Sequence, residues 1–129
     1  GYLERKMYKP KSNNHYNGKV YIITGGLTFS AAALLCNDLK GQPGITLVGE
    51  ETGGGWYGNS GILIPDVKLP HTGLRVRMPL YKLIQYQHSR VPQRGMGIMP
   101  DIYIAPNYDA IIHGKDKKIE VIRNLIFTK

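Results

Sequence analysis

Lys19-Val20-Tyr21-Ile22-Ile23-Thr24-Gly25-Gly26-Leu27-Thr28-Phe29-Ser30-Ala31-Ala32-Ala33-Leu34-Leu35 is the stretch that decides the fold. Its first six residues form a nearly continuous apolar run rich in β-branched side chains. That is the pattern of a strand buried on both faces, so a parallel central strand is expected. Two glycines close the strand. Residues 30–40 then set Leu35 and Leu39 one turn apart behind three successive alanines and are apolar nearly all round, which predicts an inner helix with a slim first turn. A serine at such a junction stands beside unpaired helix N–H groups and the positive end of the helix dipole, surroundings suited to developing negative charge. Two readings stay open. Thr28 or Ser30 caps the helix, or Ser30 is a nucleophile served by the N–H groups of Gly25, Gly26 and Ala31 as oxyanion donors.

Downstream, Gly41-Gln42-Pro43-Gly44 stops the helix, and Ile45-Thr46-Leu47-Val48-Gly49 reads as a second buried strand, completing a parallel strand–helix–strand unit. Residues 50–61 should form a mobile loop, with Gly53, Gly54 and Gly55 lining a substrate cleft beside Ser30, because ligands of open α/β sheets bind at the carboxyl ends of the strands. No Gly-Lys-Ser/Thr follows, so this is not a phosphate loop. Glu50 and Glu51 are neighbours at a strand end, where successive side chains point to opposite sides, which argues against a paired-carboxylate site. Residues 62–65 and 74–80 suggest a half-exposed antiparallel hairpin across a loop at 66–73, and residues 80–86 a further strand. Residues 87–97 are polar and irregular. Residues 98–105 should turn into a last strand. Residues 108–113 and 117–127 carry helical spacing, the latter with Ile119, Val121, Ile122, Leu125 and Ile126 on one face. Residues 1–17 show no clean period and read as an approach segment or a cut end, leaving one domain over residues 18–129.

Composition narrows the function classes. The 129 residues, 42% hydrophobic and 20% charged, suffice for one domain with a real core. No run approaches the roughly 18 apolar residues of a membrane-spanning helix. The net charge of +8 is spread over scattered lysines and arginines without an aromatic-interleaved stripe, so a solvated basic surface is expected and no specific nucleic-acid partner. Four histidines without i, i+4 spacing point to no metal site, and the single cysteine, Cys36, belongs to the apolar helix pattern as a core residue.

The strand at 20–24, the junction Gly25-Gly26-Leu27-Thr28-Phe29-Ser30-Ala31-Ala32, the segment Val48-Gly49-Glu50-Glu51-Thr52-Gly53-Gly54-Gly55 and the late Gly97-Ile98-Met99-Pro100-Asp101 follow one another in a telling order. In that order they resemble the tail-specific, or C-terminal processing, serine peptidases, in the branch common among Bacteroidetes envelope proteins. The resemblance runs from about Gly18 to the C-terminus. It implies an α/β fold with a ClpP/crotonase-like core, present here in part, with Ser30 as the nucleophile and Ala31 and a glycine N–H as oxyanion donors. It further implies cleavage of polypeptide substrates through an acyl-enzyme, no cofactor, and a place in the cell envelope, the periplasm or outside the cell. The chain is then the C-terminal part of a catalytic domain, with the missing N-terminal part of the same protein as its partner.

One departure matters. Many members place a lysine base in the turn that here reads Gly53-Gly54-Gly55-Trp56, and no lysine lies between Lys40 and Lys68. A second branch, similar to the tricorn core, uses an upstream histidine and a later acid. Here only His15 precedes Ser30, and Gln93 and Arg94 stand before Gly97. The expected function is therefore a serine peptidase domain whose base comes from outside the chain and which is inactive in isolation. The alternative is a non-catalytic peptide-binding or scaffold domain that retained the fold.

Overall fold

The computed structural model describes residues 11–84 and 95–128. The two β-branched runs flanking the alanine-rich segment pair in parallel: Val20–Thr24 (β1) lies beside Ile45–Gly49 (β2), in register from Val20 opposite Ile45 to Thr24 opposite Gly49. Ser30–Leu39 (α1) connects them, so the expected strand–helix–strand unit forms. Ile102–Tyr103 (β5, after a hairpin described below) adds to the other side of β2, also in parallel, giving the order β1-β2-β5. All three strands therefore end at the same edge of the sheet, and the turn carrying Ser30, the glycine loop and the C-terminal helices all depart from that edge. Tyr108–Ile112 (α2) and Lys117–Phe127 (α3) close the described chain, and α3 packs against β2. The molecule is mixed α/β with a parallel sheet.

Burial centres on β2. Leu47 and Val48 are fully enclosed, and Leu47 joins Ala33 and Cys36 of α1 and Ile98 in one cluster, with Ile22, Ile45 and Trp56 packed around it. Ala33 and Cys36 are three residues apart and so share one face of α1. Their small side chains let the helix lie close to the sheet. Enclosing Leu47 and Ile98 contributes about 2–3 kcal/mol each. Cys36 is a buried, free thiol, as its position in the helix pattern requires, and burial pushes that thiol above its ordinary pKa.

Several expectations need correcting. β1 is not central: among the described residues it is an edge strand, with Val20 and Ile23 substantially exposed. The role goes to β2. Nor is α1 an inner helix, since Leu35 is 55% exposed while only Ala33 and Cys36 are buried. A helix laid on one sheet face buries only the stripe turned to it, and no second layer covers the rest among the described residues. The apolar face expected of α3 is likewise left largely open, with no residue of that helix fully buried.

The hairpin exists but is shifted. Asp66–Lys68 (β3) pairs antiparallel with Arg75–Arg77 (β4), Val67 opposite Val76, so the first strand falls inside the stretch read as loop. Pairing continues outward through Met78 N–H to Pro65 O (3.3 Å) and Leu80 N–H to Leu63 O (3.0 Å), which recovers residues 62–65 as its extension. The strand expected at 80–86 reduces to one bridge, Leu83 with Asn59, and residues 85 and 86 lie outside the described residues. Of the approach segment, residues 11–17 hold neither helix nor strand.

Candidate active site

The polypeptide leaves β1 through a tight turn. Thr28 N–H donates to Gly25 O at 2.8 Å, and Gly25 N–H donates to Thr28 Oγ1 at 3.1 Å, so the threonine closes the turn twice. That use of Thr28 takes it away from the helix. The N-cap of α1 is Phe29, in extended conformation (φ −124°, ψ 168°), whose side chain supplies no cap hydrogen bond. Ser30 does not cap either. It is the first residue of α1, exposed, with φ +50°, in the left-handed region that side chains other than Gly, Asn and Asp rarely adopt. A strained serine on a strand-to-helix turn is a recurring way to present a hydroxyl at the edge of an α/β sheet.

The three proposed oxyanion donors are not equivalent. Gly25 N–H is committed to Thr28 Oγ1. Among the described residues no hydrogen bond engages the N–H of Gly26 or Ala31. These two flank Ser30 from the turn and from the helix.

The glycine loop sits against this turn, as expected, and is hydrogen-bonded to it. Gly54 N–H donates to Thr28 O at 2.9 Å. A Cβ on Gly53 would collide with the carbonyl of Gly26 and the Phe29 ring, and one on Gly54 would lie 3.1 Å from Phe29 Cα, so both glycines are required by close approach. Gly55 pairs with Gly97 in a single antiparallel bridge, and Trp56 N–H donates to Met96 O at 2.9 Å. Thr52, which the sequence gave no reason to single out beyond its place before three glycines, is the buried pin of the arrangement. Its hydroxyl donates to Gly54 O (2.8 Å) and accepts from Ile98 N–H (2.8 Å).

Glu50 and Glu51 diverge as strand alternation requires. Glu51 Oε1 accepts from Gly97 N–H at 2.5 Å, whereas Glu50 Oε1 pairs with Lys118 Nζ at 2.8 Å. Neither forms a carboxylate pair with the other. Asp101, the acid of the late motif, is also structural. Its Oδ2 accepts from Leu47 N–H (2.8 Å) and its Oδ1 from Lys40 Nζ (2.6 Å), tying the end of α1 to the middle of β2. Burial acts to raise the Asp101 carboxyl, but the hydrogen bonds from Lys40 and Leu47 and the lysine's charge outweigh it and hold the group below its ordinary value.

No described hydrogen bond or ion pair links Ser30 to a histidine, a lysine or a carboxylate. His15 is exposed in the segment before β1, and Gln93 and Arg94 lie outside the described residues. No group of three metal-ligating side chains occurs among the described residues, and no helix there is long and apolar enough to cross a membrane.

The model of peptidase family S41 matches residues 2–104. Among solved structures, a crystallised candidate peptidase from Parabacteroides merdae ATCC 43184 is similar at 28% identity and a TM-score of 0.64. The alignment covers 92% of this chain and 35% of that one, so the chain spans about a third of the neighbour's length. No curated protein matches.

Proposed function

The chain belongs to peptidase family S41, a family of serine peptidases, and on that premise we propose that it carries the nucleophilic half of a peptide-bond-hydrolysing site. Ser30 is the nucleophile. Gly26 and Ala31 N–H groups receive the oxyanion of the tetrahedral intermediate, and Gly53, Gly54 and Gly55 form the side of the cleft along which a polypeptide lies. The sheet edge and its crossover belong to a ClpP/crotonase-like core of the tail-specific type. The observation that carries the reading is the backbone of Ser30: a left-handed serine at the first turn of α1 makes no capping bond that would repay its strain.

The serine still needs a base to take its proton, and no described side chain bonds to it. No lysine stands in the turn at residues 53–56, and on that ground we assign the base to residues outside this chain, in the N-terminal part of the same protein, with the expectation that the chain alone hydrolyses peptides at no measurable rate. A fluorophosphonate probe applied to the complete protein tests the reading. Labelling confined to Ser30 and lost in Ser30→Ala supports it. Peptide binding with no labelling favours the second reading, a peptide-holding scaffold, which the absence of lysine from the turn at residues 53–56 speaks for.

A further inference from the structure

Two glycines at the carboxyl edge of the sheet border the Lys118 side chain, although Gly49 is already required by its φ of +132° and the nearby Thr24 carbonyl. A Cβ on Gly49 would lie 3.2 Å from Lys118 Cδ and would collide with Thr24 O, and a Cβ on Gly25 would lie 3.3 Å from Lys118 Nζ. The missing side chains leave a slot, and the Lys118 side chain fills it. Its stem crosses Gly49, and its ammonium stands over Gly25 and bonds to the Glu50 carboxylate at 2.8 Å. Both partners are sheltered, with side chains 23% and 26% exposed. Glu50 is in turn bonded to the last residue of β1: its N–H donates to Thr24 O (3.1 Å) and its carbonyl accepts from Thr24 Oγ1 (2.8 Å). One lysine of α3 thus grips the ends of β1 and β2 at the point where the Ser30 turn begins. It does so from residue 118, beyond the stretch 2–104 that the family model matches.

We infer that Lys118 is a positioning residue for the Ser30 turn, and that α3 belongs to the apparatus of the site rather than to its periphery. The consequence for reactivity rests on Ser30 being the nucleophile; the positioning itself does not. An ammonium held by Glu50 keeps Gly25 and Gly26 from shifting toward α3, and so keeps Gly26 N–H in place relative to Ser30. Lys115, in the connection between α2 and α3, lines the same surface pocket as Glu50 and Lys118, without an ion pair among the described residues, and serves as a control.

Residue-resolved amide exchange on the intact chain decides the matter. Lys118→Met, which keeps the stem and removes the charge, and Glu50→Gln should each speed exchange about tenfold at Gly25, Thr28 and Gly54. Asp101 and Leu69, whose N–H groups bond within other parts of the fold, should be unchanged. Lys118→Arg should restore protection, and Lys115→Met should have no effect. Unchanged exchange at the turn, or faster exchange everywhere alike, overturns the inference. In the complete protein, fluorophosphonate labelling at Ser30 should slow about tenfold in Lys118→Met and recover in Lys118→Arg. If the wild-type serine fails to label at all, the nucleophile reading falls and the exchange result still judges the role of Lys118.

Discussion

Gly54 lies so close to Ala33 that a Cβ on the glycine would stand 2.6 Å from the alanine's own. The glycine loop is thus packed onto the same helix that begins with Ser30, and the cleft wall and the serine share one support. Gly54→Ala should destabilise the chain by about 1–3 kcal/mol, the range for forcing an extra methyl into a filled site. Urea unfolding checks this. An unchanged midpoint would mean that the loop yields, and that its closeness to α1 constrains nothing.

The Asp101 carboxylate between Lys40 and Leu47 predicts an acid dependence whose sign follows from its lowered pKa. The unfolded chain takes up the proton first, near the ordinary aspartate value of 3.8, while the folded protein holds the carboxylate to lower pH. The stabilisation is complete above that value and is lost as pH falls through the lowered folded value. Asp101→Asn should lower stability at pH 7 by about 1 kcal/mol, a modest figure because the pair is partly solvated. It should also flatten the decline below pH 4 in a urea series. A parallel offset between variant and wild type down to pH 2 would refute the assignment.

Cys36 offers a direct probe of the α1–β2 contact. The residue is 3% exposed, and burial raises its thiol above the ordinary value, so little thiolate exists at neutral pH and a reagent has no route to it. Ellman's reagent should react with the unfolded chain in seconds to minutes and with the folded chain only as fast as the helix lifts from the sheet. Prompt reaction in native buffer would show that α1 does not stay seated on Leu47 and Ile98.

The strand–helix–strand unit was legible because β-branched runs and glycine breakers are local signals, and Ser30 stood out for the same reason. What misled was the assumption that an apolar segment is an enclosed one. Val20, Ile23 and Leu35 read as core, yet lie at an edge or on an uncovered face, because burial depends on layers that a local pattern does not contain. The role of Gly25 was half visible. Its place beside the serine suggests an oxyanion donor, whereas its N–H serves Thr28 and its open face admits Lys118, a residue 93 positions later. Thr52 and Asp101 were missed as fasteners because a buried hydroxyl or a shared carboxylate acts through partners far along the chain, Ile98 and Leu47 among them.

The φ of +50° at Ser30 gives the sharpest test, because strain and function predict opposite responses to one substitution. If the serine is kept for its hydroxyl, the backbone there is paid for elsewhere in the fold, and glycine, which adopts the left-handed region at no steric cost, should relieve it. Ser30→Gly should therefore stabilise the chain by about 0.5–1 kcal/mol despite the entropy that glycine brings to the unfolded state. Ser30→Ala, which keeps the strain and loses no capping bond, should change stability by less than about 0.5 kcal/mol, and Ser30→Val should cost about 1–2 kcal/mol. Both the glycine and alanine variants should lose all fluorophosphonate labelling in the complete protein. A serine kept for structure would show the reverse, with Ser30→Ala clearly destabilising. Thermal and urea unfolding of the three variants side by side separate the two cases without any assay of activity.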